Sequence, residues 1–272
     1  MANVQSPLRS YLSAVLRKST LIYTLASREV TARYKGSLFG MLWPFLLPIM
    51  MLAIYVFVFS VVFQARWAGS SGSRIEFALV LYAGLLIFSL FAECVGRAPG
   101  LVVSNVNYVK KIVFPLEILP WVSIIGALFH FLVSLIVWLL FHLICFGLPK
   151  VTTFLLPLIL LPMLLWLAGV SWFLASMAVY LRDTAQVIGV LVPAVMFMSP
   201  IFYPLSALPA DYVGLFKLNP LSFPIEMVRD ALIWGRAPDW NAWMIYTTFS
   251  ALAMVLGFLW FDKTRKGFAD VL

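Results

Sequence analysis

Long uncharged apolar stretches recur along this chain between short polar or basic segments, and their lengths set the first reading. Residues 37–63 carry no charged side chain. As a helix rising about 1.5 Å per residue, such a run crosses a hydrocarbon core of about 30 Å with room to tilt. Further apolar runs at about 77–96, 120–147, 154–181, 187–202 and 243–261 predict an all-α polytopic membrane protein with six transmembrane helices in one domain, 1–272. Pro157 and Pro162 predict a bend in the fourth run, and Pro193 and Pro200 lie in the fifth.

Three segments break the pattern. Over 8–30, Leu8, Tyr11, Leu12, Val15, Ile22 and Ala26 recur at helical spacings with Arg9, Ser13, Arg17 and Lys18 between them. This predicts an N-terminal amphipathic helix, lying in the membrane interface or packed on other protein. Over 104–115, Val106, Val109 and Val113 form an apolar stripe opposite Lys110 and Lys111, in a helix too short and polar to cross a membrane. That stripe has no evident core of its own, so a partner is expected to cover it. Over 205–236, two short helices are expected at 212–218 and 222–234, broken at Asn219-Pro220, with Ser222 as N-cap and Gly235 as the stop. On the second, Ile225, Val228 and Leu232 face one way and Glu226, Arg229, Asp230 and Ile233 the other. The segment reads as an outer re-entrant helical hairpin whose polar face looks onto a water-filled cavity or onto protein.

Charge orients the runs. Arg28, Arg33 and Lys35 precede the first span, and positively charged loops stay in the cytoplasm. With six alternating spans, the inner segments hold thirteen of the nineteen lysines and arginines, and both termini are expected to be cytoplasmic. Glu93 and Arg97, at i and i+4, can pair at the inner end of the second span. At 63% hydrophobic and 11% charged, with a net charge of +8 and a mean hydropathy of +1.01, the chain has too little polar surface for a soluble domain. The basic residues bracket apolar runs, so membrane lipid and not nucleic acid is the expected surrounding. Cys94 and Cys145 fall near opposite faces and are read as core residues out of disulfide reach.

The chemical inventory is thin. His130 and His142, twelve residues apart on one helix, point about 120° away from each other and form no ligand pair. No nucleophile, zinc or paired-aspartate motif occurs, so no catalytic or metal residue is expected. No phosphate-binding Gly-x-x-x-x-Gly-Lys-Ser/Thr loop occurs, and the spans carry few relay carboxylates; energy for uphill transport must come from a partner. The aromatics number 23 Phe, 10 Trp and 10 Tyr. Tyr55, Phe59 and Phe63 fall at i, i+4 and i+8. They are lipid-facing filler or the lining of a channel whose rings stack on sugars.

Four stretches carry a family resemblance: Arg33-Tyr34-Lys35-Gly36-Ser37-Leu38-Phe39-Gly40 through Leu42-Trp43-Pro44; Lys110-Lys111-Ile112-Val113-Phe114-Pro115-Leu116-Glu117; Tyr180-Leu181-Arg182-Asp183; and Ser199-Pro200-Ile201-Phe202-Tyr203-Pro204. In this order they resemble the ABC-2 type permeases, in particular the branch that exports O-antigen and teichoic acid. The resemblance implies a homodimer in the bacterial inner membrane that works with two ATPase subunits, which bind ATP and Mg, and moves a lipid-linked glycan outward. It implies that 104–115, with Val106, Val109, Lys110, Lys111 and Val113, docks on the ATPase. Arg28, Arg33, Tyr34 and Lys35 would belong to a gate helix at the membrane surface, and the hairpin with Glu226, Arg229 and Asp230 would close the outer end of the channel. A permease for a smaller lipid or drug, or an ATP-independent channel or scaffold, stays open on the sequence.

Overall fold

The computed structural model describes residues 18–63, 67, 74–110 and 114–272, apart from the side chains of Ser60 and Arg74. Residues 8–17 of the expected amphipathic helix, and Lys111 and Val113, lie outside this set. Every regular element among the described residues is helical.

Helix α1 (Ser19–Tyr34) is packed on protein along one face. Ile22 and Ala26 bury against Ile118 and Val122, and Val30 faces Gly126. The first span begins later than residue 37, because Gly36 (φ 83°) and Gly40 (φ 48°) take left-handed conformations that turn the chain. One 3-10 turn, Gly40–Leu42, leads into α2 (Trp43–Tyr55), which continues as a π-helical stretch, Val56–Val62. Pro44 sits in the first turn, where a missing N–H leaves no bond unmade.

Helix α3 (Arg74–Arg97) is the mast of the fold. Its apolar window is 78% buried, against 11% for Gly40–Phe59. It contacts α2 and its π extension, α6 (Leu119–Phe146), α7 (Leu156–Tyr180), α8 (Thr184–Phe197) and α10 (Ser222–Arg229). The buried Trp138 indole N–H donates to Leu79 O at 3.0 Å, which satisfies a polar atom deep between α6 and α3. Between α3 and the next long helix lie two short ones, α4 (Gly100–Val103) and α5 (Val106–Lys110), the second being the helix in the described part of 104–115.

Helix α7 packs along α11 (Trp240–Thr264) with their backbones in close approach. Gly169 and Gly257 face each other there, and a Cβ on either would overlap the backbone of the other helix. Small residues at such a crossing let two backbones approach, which is how helices gain packing in lipid.

Among the described residues, five helices are long and apolar enough to cross a membrane. The run expected to form the fifth of six spans gives only α8, of 14 residues. At about 1.5 Å each these rise about 21 Å. It stops at Phe197 and not at 202, because Ser199 precedes a proline and is pushed out of helical geometry. The Asn219 side chain then donates to Met198 O at 3.0 Å and fixes the turn. Beyond it lie α9 (Ala210–Leu218) and α10, which runs on as a π-helical stretch, Asp230–Trp234. The break at Asn219-Pro220 and the left-handed stop at Gly235 (φ 68°) are as expected. Ser222 is not an N-cap: it is the first helical residue, and its hydroxyl donates to Phe216 O at 2.6 Å. Past α11, a short α12 (Phe268–Val271) folds back onto α5 and α7. Cys94 is buried as expected, whereas Cys145 is exposed on the outside of α6 and is no core residue.

Candidate functional site

Where α1 ends, it meets α2, α3 and α6 around a cavity of about 330 Å³. Helix α1 brings Arg33 and Tyr34, α2 brings Pro48, Met51 and Tyr55, α3 brings Tyr82 and Glu93, and α6 brings His130 and Ser134. Glu93 is the hub of its polar end. Its carboxylate accepts from Arg33 Nη2 at 2.8 Å and lies 2.9 Å from His130 Nδ1 and 3.6 Å from Arg97 Nη1. Arg97 also pairs with Glu29 on α1. The other ring nitrogen of His130 lies 2.9 Å from the Tyr34 hydroxyl. One neutral tautomer serves both contacts, with Nδ1–H donating to Glu93 and Nε2 accepting from Tyr34. Burial raises the Tyr34 phenol above its ordinary value, and the neighbouring Arg33 opposes the shift. The expected Glu93–Arg97 pair is therefore present within a larger network that ties α1 to two spans.

Chemically, this network supplies neutralised charge and fixed hydrogen-bonding groups beside rings. Tyr82 and Tyr55 lie 6.3 Å apart between centroids, and Tyr55 continues to Phe59 at 6.5 Å and Phe59 to Phe63 at 5.7 Å. Phe59 is also flanked by Phe77 at 5.5 Å and by Phe202 at 6.5 Å, so it is half-buried within the chain. Phe63 is 67% exposed. The sequence stripe is thus a run of rings that starts in the cavity wall and leaves along the first span.

The remaining expected residues divide. Arg28 lies on a second cleft of about 650 Å³, beside Glu29, Arg97, Ser104 and Tyr108, and Lys35 is exposed just past α1. Lys110 and Asn107 are exposed, whereas Val106 and Val109 are half-buried. Val109 packs against the main core, so the expectation that its stripe lacks a core within the chain is corrected. On the hairpin, Arg229 was expected on a face looking onto a water-filled cavity or onto protein, and it meets protein: its side chain is 2% exposed. Its guanidinium donates to Val80 O at 3.0 Å, Pro200 O at 2.5 Å and Ile201 O at 2.7 Å, and its Cζ lies 4.5 Å from the Trp67 ring centroid. Gly84 makes room for it, since a Cβ there would meet Nη2 at 2.8 Å. Glu226, bonded to Arg229 at 3.2 Å, and Asp230 remain half-open. Burial raises both carboxyls above the usual range, against the opposing charges of Arg229 and Arg236 respectively.

Sequence reasoning missed that Glu93 gathers Arg33 and His130. A usable signal was present, since each of Glu93 and His130 interrupts an apolar span at its basic-flanked end, and buried polar groups in lipid seek one another.

Residues 20–233 match the ABC-2 type transporter family. The chain is 26% identical over 252 residues to the O-antigen export system permease protein RfbA of Myxococcus xanthus, covering 92% of this chain and 94% of that one. It is 24% identical over 254 residues to the RfbA of Klebsiella pneumoniae, covering 93% and 95%. It is also 24% identical over 252 residues to the polysialic acid transport protein KpsM of Escherichia coli, covering 90% and 93%. With four-fifths of its length matched to one family and its helices long and apolar enough for a multi-pass membrane protein, the chain belongs to the ABC-2 type transporters.

Proposed function

We propose that this chain is the membrane permease of a polysaccharide exporter. Two copies of it, with two separate ATPase subunits, move a lipid-linked glycan such as O-antigen from the cytoplasmic to the outer face of the bacterial inner membrane. The observation that carries the reading is the end-to-end likeness to permeases named for O-antigen and polysialic acid export. The run of rings leaving the cavity supports it, because aromatic faces stack on sugars without fixing a polymer in place. In this reading α8 and the turn after it make a sixth crossing, both termini are cytoplasmic, and the hairpin over 205–236 re-enters the outer leaflet. The α1 end, with Arg28, Arg33, Tyr34 and Lys35, borders the inner mouth, and ATP and Mg stay on the partner subunit, which docks at 104–115.

The test is to purify the chain with its co-expressed ATPase and to measure ATP hydrolysis in lipid vesicles. Stimulation by an undecaprenyl-linked glycan, and none by small amphiphiles, is the expected result. Stimulation by small amphiphiles alone would assign the chain to a small-lipid or drug permease.

A further inference from the structure

We propose that residues 265–272 are a positioning element for the partner-docking loop, holding α5 so that Asn107 and Lys110 face the ATPase while Val109 is turned onto the chain itself. The inference rests on the reading that an ATPase docks at 104–115.

Four observations converge on this segment. Phe268 is fully buried, with its ring 5.6 Å from Phe261 and 6.0 Å from Tyr180. Tyr180 in turn donates to Thr264 O at 2.8 Å, and Gly267 leaves room for it, since a Cβ there would meet the Tyr180 oxygen at 2.8 Å and shift the ring. Helix α12 lies against α5 and α7, and both Val109 and Leu272 pack against the main core. Finally, Arg265 Nη1 reaches Glu117 Oε2 at 3.2 Å, at the far end of the same loop. Glu117 is also held by Lys18 at 3.1 Å, and its carbonyl accepts from the Trp172 indole at 3.0 Å.

The loop is therefore gripped at two points by one short segment, at α5 through α12 and at Glu117 through Arg265. Between the grips, Tyr108 stacks on Phe114 with centroids 4.3 Å apart, which closes the loop on itself. An α5 of only five residues cannot hold its own geometry, since an isolated turn of helix is unstable in water. Its orientation is fixed from outside, and Phe268 and Arg265 are the positioning residues. Among the described residues of 104–115, Ser104, Asn107 and Lys110 are exposed to a partner, an edge that a polar or acidic cleft would fit.

The experiment compares wild-type permease with Phe268→Ala, Phe268→Leu and Arg265→Gln, each co-expressed with the ATPase. Three quantities are read: ATPase retained on the tagged permease, glycan-stimulated ATP hydrolysis, and thermal stability of the permease without the ATPase. Phe268→Ala, which empties a fully buried site, is expected to weaken ATPase retention by about tenfold or more, and Arg265→Gln, whose pair is half-exposed, by about threefold. Phe268→Leu, which refills most of the buried volume, restores retention. Wild-type retention in both Phe268→Ala and Arg265→Gln overturns the proposal. If Phe268→Ala fails to fold, Arg265→Gln decides: reduced retention with unchanged thermal stability supports the proposal, and full retention overturns it. A wild-type chain that retains no ATPase refutes instead the functional reading beneath it.

Discussion

Arg229 offers the sharpest test, because its two possible roles predict opposite results. If it is a clamp, replacing it with alanine removes the donor fork from Val80 O, Pro200 O and Ile201 O at once. Val80 lies inside α3 and keeps its helical bond, so the burden falls on the two carbonyls of the non-helical turn at 200–201. A buried acceptor left unpaired costs about 1–3 kcal/mol, giving about 2–6 kcal/mol for the pair. Loss of the desolvated contact with Trp67 adds about 1–2 kcal/mol. The Glu226 pair contributes little, since that carboxylate is 40% exposed. A total near 5 kcal/mol is a severe destabilisation for a single substitution. Arg229→Lys keeps the charge but replaces a rigid planar fork with a single ammonium, and should lose about half as much. The assay is thermal unfolding of the purified permease in detergent, followed by tryptophan fluorescence and by monodispersity. Arg229→Ala with unchanged unfolding and altered export would refute the clamp and return Arg229 to a water-facing role in gating.

Gly169→Leu should prevent α7 and α11 from closing on each other, seen as loss of a monodisperse, protease-resistant species, while substitution at Gly189, whose Cβ would meet open space, leaves it intact. Glu93→Gln weakens the contacts to Arg33, Arg97 and His130, and hydrogen exchange over Ser19–Tyr34 should rise by about fivefold, the equivalent of about 1 kcal/mol for a half-open network. No change in that exchange would mean α1 is held by Ile22, Ala26 and Val30 alone. Replacing Tyr55, Phe59 and Phe63 with leucine keeps apolar volume roughly constant, so insertion survives while surface glycan falls. Unchanged glycan would return the three rings to lipid and packing.

The spans were legible because a bilayer imposes one length on every apolar run, and the start of α6 and the whole of α7 and α11 followed within a few residues. What periodicity could not supply was the environment of a polar face. On α10 and its π-helical continuation, the helical wheel separates Arg229 from Ile225, Val228 and Leu232, but all four are buried because α3 and the turn after α8 enclose the polar side too. The same limit applies to Val109, which packs against the main core, while a segment about 160 residues later in the chain lies against its helix. Local pairs such as Glu93–Arg97 were readable from spacing. The His130 and Arg33 contacts to Glu93 join residues 37 and 60 positions away, a separation at which spacing carries no information. The first span shortened for a local reason that the sequence did display, since Gly36 and Gly40 are the residues able to turn the chain there.

The contrast between α3 and the first span bears on how the protein is built. A segment whose apolar window is 11% buried in its own chain depends little on the rest of that chain, and at 20 apolar residues it is stable in the bilayer as soon as it leaves the insertion machinery. The next segment, 78% buried, has almost no surface to offer to lipid and carries Glu93 near one end. It reaches a low-energy environment only when α6, α7 and the hairpin have arrived around it, and those lie between about 20 and 130 residues downstream in synthesis. Insertion and assembly are therefore separated in time. During that interval the second segment is the one exposed to quality-control proteases, so substitutions that leave the finished transporter sound can still lower its abundance if they delay the enclosure of α3.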